Sequence, residues 1–252
     1  MIPKTIHYCW FGRGELTPLA KKCIASWRQF FPDYEIKEWN EDNFDVNIIP
    51  YTADAYKAGK YAFVSDYARF WVLYHFGGVY FDTDVEVIRP MDDVLDKGPF
   101  MGFEQLYPCP SVAPGLGLAA EPGMDLYRSI LDRYEKMSFF SANGAINSYT
   151  MIPMVTDLLK ELGLAGNGAV ERIAGVDIYP PDWFNPFNDA TGRLHKTENT
   201  RTIHWFAKSW LPAEPVWIIG VKRVLRRIIG KEAIQRLGML LKKGKDSAFL
   251  LF

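Results

Sequence analysis

A chain of 252 residues, 48% hydrophobic and 23% charged, has the balance of an ordinary globular protein and ample length for a sizeable core, which excludes wholesale disorder. Lys and Arg number 29 and Asp and Glu 30, for a net charge of −1, which excludes a nucleic-acid binder of the generally basic kind. Three cysteines, Cys9, Cys23 and Cys109, with no CxxC pair, make neither a disulfide framework nor a zinc site and fit a reducing compartment.

Thr5 to Trp10 is a β-branched and aromatic run entered through Pro3 and left at Gly12, and it reads as a first strand. Thr17 is a good N-cap with Pro18 at the first helical position, and Leu19, Cys23, Trp27 and Phe30/Phe31 mark one face of a helix that ends at Pro32. Tyr34 to Trp39 alternates with period two and reads as a second strand. Strand, helix and strand within so short a stretch form a βαβ unit, hence a parallel sheet and an α/β fold. Such sheets bind ligands at the carboxyl ends of their strands, here Trp10-Phe11-Gly12 and Trp39-Asn40.

Ala62 to Phe76 is apolar nearly all round, the signature of a buried helix, yet it carries Asp66 and Arg69 one turn apart on one face. Buried charges are costly unless they are paired or bound to a ligand. The helix should stop at Gly77-Gly78, and Val79-Tyr80-Phe81 should start a strand that runs through Asp82-Thr83-Asp84 and Val85-Glu86-Val87-Ile88 to Pro90. Two residues apart at a strand end, Asp82 and Asp84 would share a face. Paired carboxylates want a cation, and hard ions such as Mg²⁺ or Mn²⁺ complete such a shell with substrate phosphates. On its own the tripeptide also fits a polar strand end. His75 and His195 read as structural residues, and the bare sequence gives His7 the same reading.

From Val216 onward nine basic residues face only Glu232 and Asp246, a net +7 that leaves −8 on the first 215 residues. Val221, Leu225, Ile228 and Ile229, then Leu237, Leu240 and Leu241, recur at helical spacing among them. The expected organisation is a domain over 1–215 and a basic amphipathic helical tail over 216–252 that touches an anionic membrane. The alternative is a helix packed on the body with a solvated basic face. The N-terminal residues lack the apolar core of a signal peptide, and no apolar run approaches the ~18 residues of a membrane span. The expected location is therefore cytoplasmic, with a peripheral seat on the inner face of the membrane.

Ile2 to Gly12, Ser65-Asp66-Tyr67-Ala68-Arg69, and Leu73 to Asp84 together resemble the opening strand and central signature of glycosyltransferase family 32, the sugar-transferase family with the DXD motif. That family includes capsular and surface polysaccharide transferases and initiating α-mannosyltransferases. The resemblance covers about residues 2–95 and returns at His204-Trp205 and Ser209-Trp210. It implies the GT-A fold, a Rossmann-like nucleotide-sugar transferase sheet, with Mn²⁺ or Mg²⁺ as cofactor and retention at the anomeric carbon. Carried over residue by residue, Asp84 would ligate the metal directly, Asp82 would contact the ribose or the metal through water, His204 would be a late metal ligand, and Asp66 and Arg69 would hold the donor sugar. His7, Tyr8 and Trp10 line the nucleoside pocket, and Ser209 and Trp210 reach the diphosphate. Asn143 or Asn147 and the Asp182-Trp183-Phe184-Asn185-Pro186 loop fall where the family places further contacts.

The expected function is thus transfer of a hexose or N-acetylhexosamine from a nucleotide-sugar donor, most naturally a UDP-sugar. The acceptor would be a lipid-linked glycan or oligosaccharide in capsular or other surface polysaccharide synthesis. The alternatives are a hydrolytic or a non-catalytic GT-A protein in a polysaccharide assembly complex. A hydrolase acting on glycosides would need two opposed carboxylates, which Asp82 and Asp84 on one face do not supply.

Overall fold

The structure is a computed structural model that describes residues 1–105, 109–207, 215, 217–224, 226 and 227. It divides into two compact units, one of Met1–Pro186 with Lys196–Trp210 and one of Phe187–His195 with Leu211–Phe252.

The first unit begins with β1 (Thr5–Cys9), α1 (Pro18–Phe30) and β2 (Glu35–Trp39), with β1 and β2 parallel and in register from Thr5 opposite Glu35 to Cys9 opposite Trp39. The local signals act as expected. The Thr17 hydroxyl accepts the Ala20 N–H at 3.1 Å, and Pro18 opens the helix where its missing N–H costs nothing. Cys23, Ile24 and Trp27 then form the buried stripe, and the Trp27 indole donates to the Val85 carbonyl at 2.8 Å.

After α2 (Pro50–Lys57), the long α3 (Tyr61–Phe76) ends at Gly77 and the chain turns directly into β3 (Gly78–Tyr80), which pairs parallel with β1. Both glycines are required there. Gly77 and Gly78 have φ of +64° and +98°, and a Cβ on Gly78 would lie 2.6 Å from the Thr5 carbonyl oxygen.

The expected continuous strand from Val79 to Ile88 does not form. The chain leaves the main sheet after Tyr80, turns through Asp82-Thr83-Asp84 with the Val85 N–H donating to the Asp82 carbonyl at 2.9 Å, and resumes as β4 (Val85–Val87). Strand β4 pairs with a late segment instead, described below. A period-two pattern reports which residues are half-buried; it does not report which partner buries them.

The remainder of this unit comprises α4 (Asp92–Leu95), β5 (Phe100–Gln105), β6 (Ser111–Val112), a 3₁₀ turn at Pro114–Leu116, β7 (Leu118–Ala120), α5 (Asp125–Glu135), α6 (Met151–Glu161), β8 (Glu171–Ile173), β9 (Val176–Tyr179) and α7 (Pro181–Phe184). Among the described residues the main sheet runs β2-β1-β3-β7-β5-β9-β8, with β6 on β5. It is mixed: β1 is parallel to both its neighbours and β5 to β9, while β7 runs antiparallel between β3 and β5.

Alternate sheet residues enter two different cores. Cys9, Tyr80, Met101, Leu118 and Ile178 pack with α3, α5 and α6, whereas Tyr8, Val79, Phe100, Ala119 and Tyr179 pack with α1 and α7. Helices therefore cover both faces, and the carboxyl ends of β1 and β3 open where the acidic turn begins.

The second unit has β10 (Phe187–Asn188) paired antiparallel with β11 (Arg193–Leu194), and a helical stretch over 217–227 in which the structure describes all but residue 225. The first unit closes with β12 (Thr202–His204), antiparallel to β4. Cys9, Cys23 and Cys109 are free thiols. No helix among the described residues is long and apolar enough to cross a membrane.

Candidate functional site

The site is built where α3, the turn after β3 and β12 meet. Strand β12 lies against β4 with His204 opposite Val85, so a residue 120 positions after Asp84 arrives beside it. The His204 Nε2 is 3.1 Å from Asp84 Oδ1, and one ligand atom each from Asp82, Asp84 and His204 lie within 4.8 Å of one another. Backbone groups just after His204 complete the hold: the Ala207 N–H donates to Asp84 Oδ2 at 2.7 Å, and the Trp205 N–H to the Asp84 carbonyl at 3.0 Å.

The two aspartates are brought together by the turn, not by a strand's alternation. Their surroundings also differ. Burial alone would push Asp84 up, but the His204 ring and the Ala207 N–H outweigh it and hold the carboxyl below its ordinary range. Burial raises Asp82 above the ordinary range, with Arg69 opposing and Asp84 adding to the rise. His204 is desolvated, which would lower it, yet Asp84 draws it upward overall. Its Nδ1 is buried with no hydrogen-bond partner.

Two carboxylates and an imidazole are an oxygen-rich donor set of the kind that suits Mn²⁺ or Mg²⁺. The ligand-atom spacing and the net acidity fit a divalent ion held by these three residues.

Arg69 lies beneath this acidic cluster, 3% exposed, on the buried face of α3. Its Nε donates to the Ser65 carbonyl at 3.1 Å, Nη2 to Asp66 Oδ1 at 2.9 Å, and Nη1 to Asp82 Oδ2 at 3.3 Å. Nη2 also lies 3.1 Å from Asp82 Oδ1, and the Tyr80 ring stacks with its centroid 4.9 Å from the guanidinium carbon. The Tyr80 hydroxyl donates to Asp82 Oδ1 at 3.2 Å. The guanidinium is thus spent on holding two carboxylates in place. Asp66, about one turn before Arg69, keeps part of its side chain open to solvent, and burial raises it to about 6 against the pull of Arg69.

One contributor gave no sequence signal. Gly115, in the 3₁₀ turn at Pro114–Leu116, lies so close that a Cβ there would sit 2.4 Å from Asp82 Oδ2 and 3.4 Å from Arg69 Nη1. A lone glycine among several reads as a turn; its close approach to a carboxylate becomes visible only once β7 is paired to β3. Phe206, whose ring centroid is 4.2 Å from that of His204, is likewise seen only in the fold.

The other described sequence candidates have the following partners. His7 is buried, with Nε2 3.0 Å from the Gly77 carbonyl and Nδ1 accepting from the Trp39 indole at 3.1 Å, so both ring nitrogens are taken inside the fold. Tyr8 packs on Trp27 and donates to Glu38 at 2.6 Å. Trp10, at the carboxyl end of β1, is half-buried and its indole donates to the Gly14 carbonyl at 2.6 Å. Asn143 and Asn147 cap their own loop through the Ala145 and Tyr149 N–H groups. Asp182 accepts from Thr197 and Asn199, and Asn185 donates to the Glu104 carbonyl while its Oδ1 stays buried and unpaired. Ser209 and Trp210 lie outside the described residues, as does most of the expected tail helix.

Comparison with known proteins points the same way as this geometry. Residues 18–101 match the profile of a family described as "Glycosyltransferase sugar-binding region containing DXD motif". The inositol phosphoceramide mannosyltransferase 1 of Schizosaccharomyces pombe is 30% identical over 112 residues, 40% of this chain and 33% of that protein. The mannosyl phosphorylinositol ceramide synthase CSH1 of Saccharomyces cerevisiae is 29% identical over 108 residues, 40% of this chain and 28% of that one. The chain thus spans about a third of the length of these relatives. Among solved structures, a glycosyltransferase involved in the glycosylation of the major capsid of PBCV-1 superposes with a TM-score of 0.50 at 11% identity, covering 82% of this chain and 95% of that one. At that identity the likeness concerns the fold, which is GT-A.

Proposed function

Because residues 18–101 match the sugar-binding region of the DXD glycosyltransferases, we propose that the chain transfers a hexosyl group from a nucleotide-diphosphate sugar to an acceptor hydroxyl. The observation that carries this reading is the convergence of Asp82, Asp84 and His204 above the Arg69-centred cluster. Asp84, Asp82 and His204 would hold Mn²⁺ or Mg²⁺, which when bound supplies positive charge against the diphosphate leaving group.

The chain's own residues do the rest. Asp66 is largely ionised above its raised value of about 6, so near pH 7.5 it accepts hydrogen bonds from donor-sugar hydroxyls. Arg69 serves as a positioning residue, fixing Asp66 and Asp82 at a set separation so that no reorganisation is needed when the donor arrives. Trp10, at the end of β1, is the aromatic face on which the nucleoside ring rests. Ser209 and Trp210, which lie outside the described residues, are the expected diphosphate contacts of this reading.

We take the donor to be a UDP-sugar and the acceptor a hydroxyl on a lipid-linked or oligosaccharide glycan of a surface polysaccharide. The names of the relatives favour a second reading, in which the sugar is mannose and the acceptor a phosphoinositol-type lipid.

Calorimetry with UDP, GDP and CDP, each with and without Mn²⁺, distinguishes the two. UDP binding that requires Mn²⁺ supports the first, and GDP preference supports the second. Asp84→Asn should weaken metal-dependent nucleotide binding by ~100-fold or more, since it removes a charged ligand. Sugar transfer by Asp84→Asn at the parent rate would refute the assignment, and release of free sugar without acceptor dependence would show a hydrolase.

A further inference from the structure

We infer that the helix over residues 217–227 seats its outward apolar face on an anionic lipid surface. This rests on the second unit alone and is independent of the sugar chemistry. Trp217, Gly220, Val221 and Val224 recur at i, i+3, i+4 and i+7 and therefore share one face. In a helix packed on a soluble body that stripe would be the buried one. Here the arrangement is reversed. Trp217 is 70% exposed, Val221 45% and Val224 50%, and a Cβ placed on Gly220 would meet nothing within 4 Å.

The charged side of the helix makes the intramolecular contacts. Arg223 donates from Nε to the Asp189 carbonyl at 3.1 Å and from Nη2 to Asp189 Oδ1 at 3.0 Å, with its guanidinium 5.5 Å from the Phe187 ring centroid. Arg227 donates to the Thr191 carbonyl at 2.6 Å. The stem of Arg223 passes so close to the turn between β10 and β11 that a Cβ on Gly192 would lie 2.8 Å from Arg223 Cδ. Two arginines of the basic face thus anchor the helix to the hairpin and leave its apolar stripe exposed. The same hairpin leaves Arg193 and Leu194 exposed.

Charge complementarity selects the occupant. No acidic residue occurs from Val216 to Gly230, whereas Lys222, Arg223, Arg226 and Arg227 do. Their field reaches about a Debye length, ~8 Å at physiological salt, which is comparable to the helix's own diameter of ~10 Å. A cationic helix with an apolar stripe led by a tryptophan matches an anionic bilayer interface, where indole rings settle at headgroup depth and aliphatic side chains below it.

Flotation of the full chain tests this, using vesicles of phosphatidylcholine alone and of phosphatidylcholine mixed with phosphatidylglycerol. The parent should float with the anionic vesicles and weakly or not at all with the neutral ones. The triple variant Trp217→Ser, Val221→Ser, Val224→Ser should lose at least ~10-fold in partitioning, with its thermal unfolding unchanged because the altered side chains are exposed. Parental flotation by the triple variant overturns the inference, as does failure of the parent to float. A Tm lowered by several degrees in the variant would show the stripe covered by the chain itself, and a dimer-to-monomer shift without lipid binding would show a second copy on it; either also overturns it.

Discussion

His7 makes the stability of this fold depend on pH in a way that can be worked through. Its ring is 2% exposed and neutral, with one nitrogen facing the Gly77 carbonyl and the other accepting from Trp39. Desolvation is the largest cause of its depressed pKa, which falls from 6.5 to about 4, with the Gly77 bond opposing and Lys37 adding to the fall. Between those values the unfolded chain binds a proton that the folded chain refuses, so stability falls as pH drops from 6.5 towards 4. Above 6.5 the imidazole is neutral in both states and contributes no pH dependence. At pH 5 the deficit is about 2 kcal/mol, and it levels off at about 3 kcal/mol below pH 4.

Asp66 acts in the opposite sense. Its folded value of about 6 against an ordinary 3.8 means that the folded state takes up the proton first, which offsets part of the His7 loss as pH falls through that range. Other shifted groups titrate over the same range, among them the depressed Asp84 and Asp93 and the raised His204, so the His7 contribution emerges only by comparison. His7→Gln should be less stable than the parent at pH 7.5, where it loses a fitted ring, and the gap should close by about 2 kcal/mol at pH 5. Urea unfolding of both proteins at pH 7.5, 6 and 5 measures it. A gap that stays constant across the three would refute the claim that a neutral buried imidazole ties β1 to the Gly77 turn.

Other substitutions probe the site and its supports. Gly115→Ala should lower sugar transfer at least ~10-fold by displacing Asp82 from its Arg69 contacts, with a loss of stability near 1–3 kcal/mol from local overpacking; steady-state rates alongside urea curves separate the two. Gly78→Ala combines a positive φ with a 2.6 Å clash against the Thr5 carbonyl, and should cost more than ~2 kcal/mol in urea unfolding. Trp27→Ala empties a fully buried aromatic site and orphans the Val85 carbonyl, for an expected loss of about 3–5 kcal/mol. Arg69→Met should destabilise by ~3–5 kcal/mol by leaving Asp66 and Asp82 unpaired, and it should fail to be rescued by Arg69→Lys, which cannot fork between two carboxylates.

What could be read from residues alone follows the range of the forces involved. The start of α1 was legible because its signal is local: Thr17 and Pro18 act within one turn of themselves. The end of α3 was legible because two adjacent glycines can only punctuate. The break after Tyr80 was not, because Val85 and Val87 are buried with β4 paired to β12, and pattern does not distinguish partners 115 or more residues away in sequence. Asp66, Arg69, Asp82, Asp84 and His204 were identified by residue type and resemblance, and the fold gathers them. Their division of labour was not visible, since only packing shows that Arg69 spends its donors on its neighbours. Gly115 was missed because closeness of backbone to carboxylate leaves no mark in a sequence.

The docking of β12 on β4 has a consequence for how the protein comes to life. The acidic turn is made early in the chain, but its imidazole and the Ala207 amide arrive some 120 residues later. During synthesis the aspartates emerge from the ribosome long before their partners. At typical elongation of ~5–20 residues per second, several seconds separate the two events. Until residues 202–207 are made, Asp84 lacks the His204 ring and the Ala207 N–H that hold its carboxyl below the ordinary range. The three-residue cluster is thereby completed only when β12 has been made and docked on β4.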